Sequence, residues 1–324
     1  MQANIIYARS WLDNGLPDKC ADLIIADPPY YKVKGEFDFS WRSMEEYLEV
    51  VERWAVECAR VLKDNGTLLW WGHPLKIAYS QVILDKYFNL LNSLVWEKVD
   101  CQTRRNPASQ QRRFVPVTER LLLYDKGDDK SGWERIYDDP ALFYEIKKYF
   151  DDWHDASGLS LKEVIQKVGS TASHYLGFTK RKKTQFQFPT REKWEKMGAL
   201  HPHSVSYEEL RARYEELRAR YEELRRYFNL SELYKTDVLR FSQESFKAPE
   251  FSHPTKKPET LTRYLIETTC RPGGLVVVPF AGSGTECAMA LATGRRFIGF
   301  EIDEKYAELA RKRVGRYAAQ KRFI

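Results

Sequence analysis

Paired cysteines, long apolar runs and an excess of one charge are what this chain lacks. Its five cysteines, Cys20, Cys58, Cys101, Cys270 and Cys287, are odd in number, scattered and never in CxxC spacing. That pattern supports neither a disulfide framework nor a zinc site, and a reducing cytoplasm is the expected setting. No stretch approaches the ~18 apolar residues of a membrane span. The opening, MQANIIYARSW, has no basic head followed by an apolar core, so a soluble, unprocessed chain is expected. Lys and Arg number 52 against 46 Asp and Glu, a formal charge of +6. This balance permits an anionic partner without identifying one.

What is present is length and aromatic mass. The 324 residues include nine Trp and nineteen Tyr, enough for about two domains or one enlarged one at roughly 150 residues each. Through the first 125 residues, short apolar runs at 4–7, 22–26, 67–71, 94–97 and 120–124 read as strands. Between them, SMEEYLEVVERWAVECARVL at 43–62 has helical spacing with early acids, and the alternation predicts an α/β fold with a mostly parallel sheet. The texture turns charged and aromatic from 127 to 250. Helix, strand, glycine loop, helix and strand signals return from His253 onward. One α/β domain, 1–126 and 251–324, is therefore expected to carry an inserted, mainly helical region at 127–250.

The insertion holds the one internal repeat, YEELRAR YEELRAR YEELRRY, at 207–227. Tyr207, Tyr214 and Tyr221 with Leu210, Leu217 and Leu224 occupy the seam of three heptads. Such a helix can pack on its own domain, meet a second copy in a homodimer, or present its arginines to a phosphate backbone. Ahead of it, LSLKEVIQKVGSTASHYL at 159–176 predicts helix, turn and helix, followed by Lys180, Arg181, Lys182 and Lys183. A helix-turn-helix DNA reader and an ordinary helical hairpin both fit.

Two stretches carry the chemistry. In LIIADPPYYK at 23–32, Pro28 and Pro29 must end the strand, leaving Asp27 and Tyr30 rigidly presented just past it. In VVVPFAGSGTE at 276–286 a buried strand breaks at Pro279 and opens through Gly282 and Gly284 into a helix. Glu301 ends the next strand about 20 positions later, placed to accept from ribose hydroxyls. A nucleoside-containing cofactor is implied. The third glycine of a dinucleotide fingerprint is replaced by Cys287, and Thr285 and Glu286 leave no P-loop lysine. S-adenosylmethionine, with a ribose and no phosphate, suits this loop best. If the strands ending in DPPY and PF are neighbours, Asp27 and the methyl donor share one crevice.

DPPY at 27–30, PFAGSGT at 279–285, GFEID at 299–303 and HPTKKPETL at 253–261 together resemble the amino-directed DNA methyltransferases. Their order, catalytic motif before cofactor motif with an insertion between, is similar to the beta class of that family. The resemblance implies a Rossmann-like S-adenosylmethionine-dependent domain with permuted motif order and an inserted target-recognition region. It implies double-stranded DNA as partner and methylation of a flipped adenine's exocyclic amino group, with cytosine N4 as the alternative because SPPY is more usual there. Asp27 and the Pro28 carbonyl would accept from the amino hydrogens, Pro29 would hold the turn, and Tyr30 would stack on the extruded base. Asp27 would also border the cofactor. The resemblance gives Glu301 the ribose, Phe280, Gly282, Ser283, Gly284 and Thr285 the methionine part, with Asp303 beside them. His253, Thr255 and Lys257 would take the other flank, with Lys257 able to meet the methionine carboxylate. The chain departs from the family at IIYARSW, where many members carry Gly-Asp after the first strand.

The loop DCQTRRNPASQQRRF at 100–114 carries Arg104, Arg105, Arg112 and Arg113 among amides, suited to phosphates and base edges or to a solvated surface. Trp70, Trp71 and His73 follow another strand and can line the pocket, core packing being the simpler role for the tryptophans. No metal is expected. Two rival readings are a catalytically idle DNA-binding or dimerisation module and a nicotinamide oxidoreductase.

Overall fold

A computed structural model describes residues 2–33, 38, 40–99, 112, 114, 116–127, 143–177, 186–230, 236–243 and 257–320. The chain divides into two compact units, Met1–Lys130 with Arg226–Ile324, and Ser131–Arg225.

The first unit is built on eight strands: β1 (Ile5–Ala8), β2 (Ala21–Ala26), β3 (Leu62–Gly72), β4 (Asn89–Lys98), β5 (Thr118–Asp125), β6 (Val238–Phe241), β7 (Leu275–Val278) and β8 (Arg296–Glu301). They form one sheet in the order β1-β8-β7-β2-β3-β5-β4-β6. β5 runs antiparallel to both its neighbours, and the other pairings are parallel. The central strands β2 (ADLIIA) and β7 (LVVV) are buried almost throughout, as apolar runs covered on both faces must be. Leu23, Ile25, Val276 and Val278 belong to the core on one face, and Ile24, Val277 and Ile298 to that on the other.

Helices α1 (Met44–Val61) and α2 (Ile77–Leu84) belong to the first half of this unit, and α7 (Glu259–Thr269), α8 (Thr285–Ala292) and α9 (Glu304–Gln320) to the second. The Ser43 hydroxyl accepts from the Glu46 N–H and caps α1, so the acids expected in its first turn sit where the helix dipole favours them.

The second unit contains α3 (Tyr144–Ser157), α4 (Leu161–Val168), α5 (Arg191–Gly198) and α6 (Tyr207–Leu224). The heptad seam is used internally: Leu210, Tyr214 and Leu217 are buried in one core with Phe143, Phe150, Phe188 and Trp194. Leu224, the last seam residue, is exposed. The helix-turn-helix expectation is corrected. After α4 and Gly169 comes a 3-10 turn at Ser170–His174, with only Ala172 buried. Ser-Thr-Ala-Ser-His supplies one apolar residue, too little to bury a second helix face.

The expected insertion end at 250 also moves. From Arg226 the chain is back in the first unit, and Val238–Phe241 adds an edge strand parallel to β4, with the Trp96 indole N–H on the Phe241 carbonyl at 2.9 Å. Four residues carry almost no strand signal of their own; β4 supplies the pairing.

Candidate active site

The chain moves outward from β2 to β3 on one side and from β7 to β8 on the other, so strand order reverses between β2 and β7. Open α/β sheets bind ligands beyond the carboxyl ends at that reversal. Leu23 pairs with Val276 and Ile24 with Val277, which brings Asp27-Pro28 and Pro279-Phe280 out side by side. Beyond them lies a cavity of about 380 Å³, lined by both motifs and by Glu301 from the end of β8.

Asp27, Tyr30 and Lys257 line it as a buried polar cluster, with Glu119 behind Lys257 and outside the lining. The Lys257 ammonium, 2% exposed, lies 2.7 Å from Asp27 Oδ2 and 3.2 Å from Glu119 Oε2. The Tyr30 hydroxyl donates to Asp27 Oδ1 at 2.6 Å. Asp27 is thus held at both oxygens, and the Tyr30 backbone N–H is held in turn by the buried Asp38 carboxylate at 2.5 Å. Burial pushes the Asp27 carboxyl up from its ordinary value, and Lys257 pulls it back. Burial likewise opposes the charge of Glu119, yet Lys257 and Lys98 together bring it down to about 2. Burial disfavours the Lys257 ammonium too, but the two carboxylates outweigh it and raise its pKa. Lys257 also stands 4.9 Å over the Trp71 ring. Trp70 and Trp71 are buried in the core, and neither they nor His73 line the cavity.

The opposite end is the glycine loop. The Gly282 N–H donates to Glu301 Oε2 at 2.8 Å and the Asp303 N–H to Oε1 at 3.0 Å, ordering the loop while leaving further lone pairs for a ligand's hydroxyls. Burial raises the Glu301 pKa against those backbone donors. Ser283 and Thr285 line the cavity, and both hydroxyls accept from Arg313, a guanidinium 1% exposed on α9. Asp303 lines the cavity and accepts from the Lys305 N–H at 2.8 Å, capping α9. Gly284 does not line it. Gly284 has φ +78°, and a Cβ there would lie 2.7 Å from the Ala310 methyl and 2.8 Å from its Cα. This glycine lets α9 approach rather than a ligand. Gly284→Ala should lower stability by about 1–3 kcal/mol, read as a fall in the urea midpoint with unchanged slope.

Aromatic rings close the cavity: Phe280 stands edge-on to Trp54 at 4.8 Å, and Trp54 to Trp41 at 6.1 Å. Expectations at His253, Thr255, Arg104, Arg105, Arg113, Lys180, Arg181, Lys182 and Lys183 lie outside the described residues. Arg112 is exposed. Sequence reasoning missed Glu119, Glu286, Arg313 and the aromatic wall. A lone acid opening the apolar TECAMALA helix was the available signal for Glu286.

The DNA methylase family, of the N6/N4 type, matches residues 21–312. The chain belongs to that family. This methylase is 26% identical over 333 residues to the Type II methyltransferase M2.LlaDCHI of Lactococcus lactis subsp. cremoris, covering 98% of this chain and 90% of the relative. It is 26% identical over 309 residues to M2.DpnII of Streptococcus pneumoniae, covering 90% and 82%. Among solved structures, the M1.HpyAVI–SAM complex shares the fold at TM-score 0.54 and 17% identity, over 96% of this chain and 98% of that one.

The methylase draws its methyl group from S-adenosylmethionine, and its cavity fits that group. The volume is within the range of small-molecule sites, Glu301 retains acceptors for a ribose, and Asp27, Glu286 and Glu301 outnumber Lys257, favouring a ligand of net positive charge. No described helix is long and apolar enough to cross a membrane.

Proposed function

We propose that this DNA methyltransferase modifies the exocyclic amino group of an adenine turned out of the duplex into the cavity, with Asp27 as the group that touches the reacting nitrogen. The observation that carries the reading is the double restraint of Asp27 by Lys257 and Tyr30 beside the glycine loop. An amino group conjugated to a purine ring is a poor nucleophile because its lone pair is delocalised. The Asp27 carboxylate and the Pro28 carbonyl accept its two hydrogens and draw the nitrogen toward a tetrahedral shape. Burial raises the Asp27 pKa, which makes the carboxylate a better acceptor for the proton the amino group must shed. When bound, S-adenosylmethionine supplies an electrophilic methyl carbon on a positively charged sulfur that leaves neutral. Glu301 and the 280–285 loop orient it, and the Trp54 and Phe280 rings exclude water, so geometry and a dry, fixed field supply the rate.

Tyr30 lines the cavity with its hydroxyl spent on Asp27, leaving its ring to stack on the base, worth about 1–3 kcal/mol against the unstacking cost. We assign target reading to the unit Ser131–Arg225 and the 100–114 loop; Arg112 and Phe114, both exposed, are the described residues of that loop. The Type II designation of both relatives supports a restriction–modification setting.

The test is transfer of labelled methyl from S-adenosylmethionine to unmethylated genomic DNA, followed by nucleoside mass analysis. Label in N6-methyladenine is expected. Label in N4-methylcytosine would keep the mechanism and overturn the base, and no label on DNA would overturn both.

A further inference from the structure

Glu286 is the buried group the reaction has not used. It occupies the second position of α8, is 6% exposed, and lines the cavity between the glycine loop and the Asp27 end. The other acids there already take protein donors, Asp303 the Lys305 N–H among them, and the lone pairs left on Glu301 are those assigned to the ribose. Asp27 takes Lys257 and Tyr30, Glu301 takes two backbone N–H groups, and Asp38 takes the Tyr30 N–H. Glu286 accepts from its own backbone N–H, and among the described residues no cation lies within ion-pair distance of it. Arg313, on α9, spends Nη1 on Ser283 and Thr285, and Lys257 lies against Asp27 and Glu119. A buried carboxylate at a cavity wall without a cation is costly unless a ligand brings one.

The ligand of this cavity brings two positive groups, the sulfonium and the α-ammonium of its methionine part, and only the ammonium has hydrogens to donate. We propose that Glu286 is the carboxylate that receives the α-ammonium group of S-adenosylmethionine, a binding contact that rests on the cofactor reading above. It sets the cofactor's methionine end at the first turn of α8, with the ribose end toward Glu301.

A linkage to pH follows from the same geometry. Burial raises the Glu286 pKa to about 7, the Asp27 charge adds to the rise, and Lys257 and Arg313 oppose it. An ammonium on the carboxylate lowers that pKa, so binding near pH 7 releases a proton. Affinity falls as pH drops below about 7, by up to about tenfold per unit.

The test is calorimetry of the full chain with S-adenosylhomocysteine and with its deaminated analogue, which keeps the carboxylate and lacks the ammonium. Wild type should bind S-adenosylhomocysteine at least about tenfold more tightly than the analogue and release a proton at pH 7 in buffers of different ionisation heat. Glu286→Gln should lose about tenfold or more toward S-adenosylhomocysteine, little toward the analogue, and the proton release. Equal weakening toward both ligands, or no weakening, would overturn the proposal while leaving the cofactor reading intact. Failure of wild type to bind S-adenosylhomocysteine would sink both. The wild-type comparison of the two ligands and its pH profile do not depend on the variant folding.

Discussion

Asp27→Asn is expected to lower methyl transfer to DNA by about 10²–10³-fold or more in a protein that still folds and binds S-adenosylhomocysteine. The amide is the same size, keeps one acceptor for the Lys257 ammonium now 2.7 Å from Oδ2, and can still meet the Tyr30 hydroxyl. What it loses is the negative charge that draws the amino hydrogens away from their nitrogen. It also cannot hold the proton that nitrogen must release. Single-turnover transfer of labelled methyl, with binding measured on the same preparation, separates these effects. A loss below tenfold would remove Asp27 from direct contact with the amino group.

Lys257→Met is expected to be the most destabilising of these changes. The ammonium is the one cation within ion-pair distance of Asp27 among the described residues, and it also lies 3.2 Å from Glu119. Methionine keeps most of the volume but leaves buried Asp27 without a cation and Glu119 with Lys98 alone. Removing one partner of a buried pair costs about 3 kcal/mol or more, a drop in Tm of about 4–5 °C or more for a chain of this size. The sign with pH is fixed. In wild type Glu119, held at about 2, stabilises the fold above the ordinary glutamate range and loses that contribution as pH falls toward 2. In the variant Asp27 rises further, and an acid raised on folding stabilises at low pH and loses that as pH climbs through its folded value. The gap in Tm should therefore be wider at pH 8 than at pH 5. A gap that does not change with pH would mean that packing, not charge, is what Lys257 supplies.

Both predictions centre on a contact between residues 230 positions apart, and that separation marks how far the sequence could be read. DPPY, PFAGSGT and GFEID announced themselves because prolines must stop strands, glycines open loops, and an acid at a strand end has little structural reason to be there. Those constraints are local, and they placed Asp27, the 280–285 loop and Glu301 at carboxyl ends of strands before any pairing was known. The heptads announced a helix with one apolar stripe, and left open what would cover it.

What covers it is the aromatic core of its own unit, with Tyr214 against Phe188. The short β6, the return of the chain at Arg226 and the clearance that Gly284 gives to α9 are likewise decided by neighbours. So is the fate of each charge. Lys257 reads as a cofactor contact in HPTKKP, yet it closes on Asp27 and Glu119, while Glu286 is left against the cavity without a cation. The sequence by itself determined the fold class, the two chemical motifs and the methyl donor, because strand ends and loops are set by residues close in the chain. Only the tertiary structure decided which buried charges neutralise one another, because that depends on distances across the sheet that no local pattern encodes.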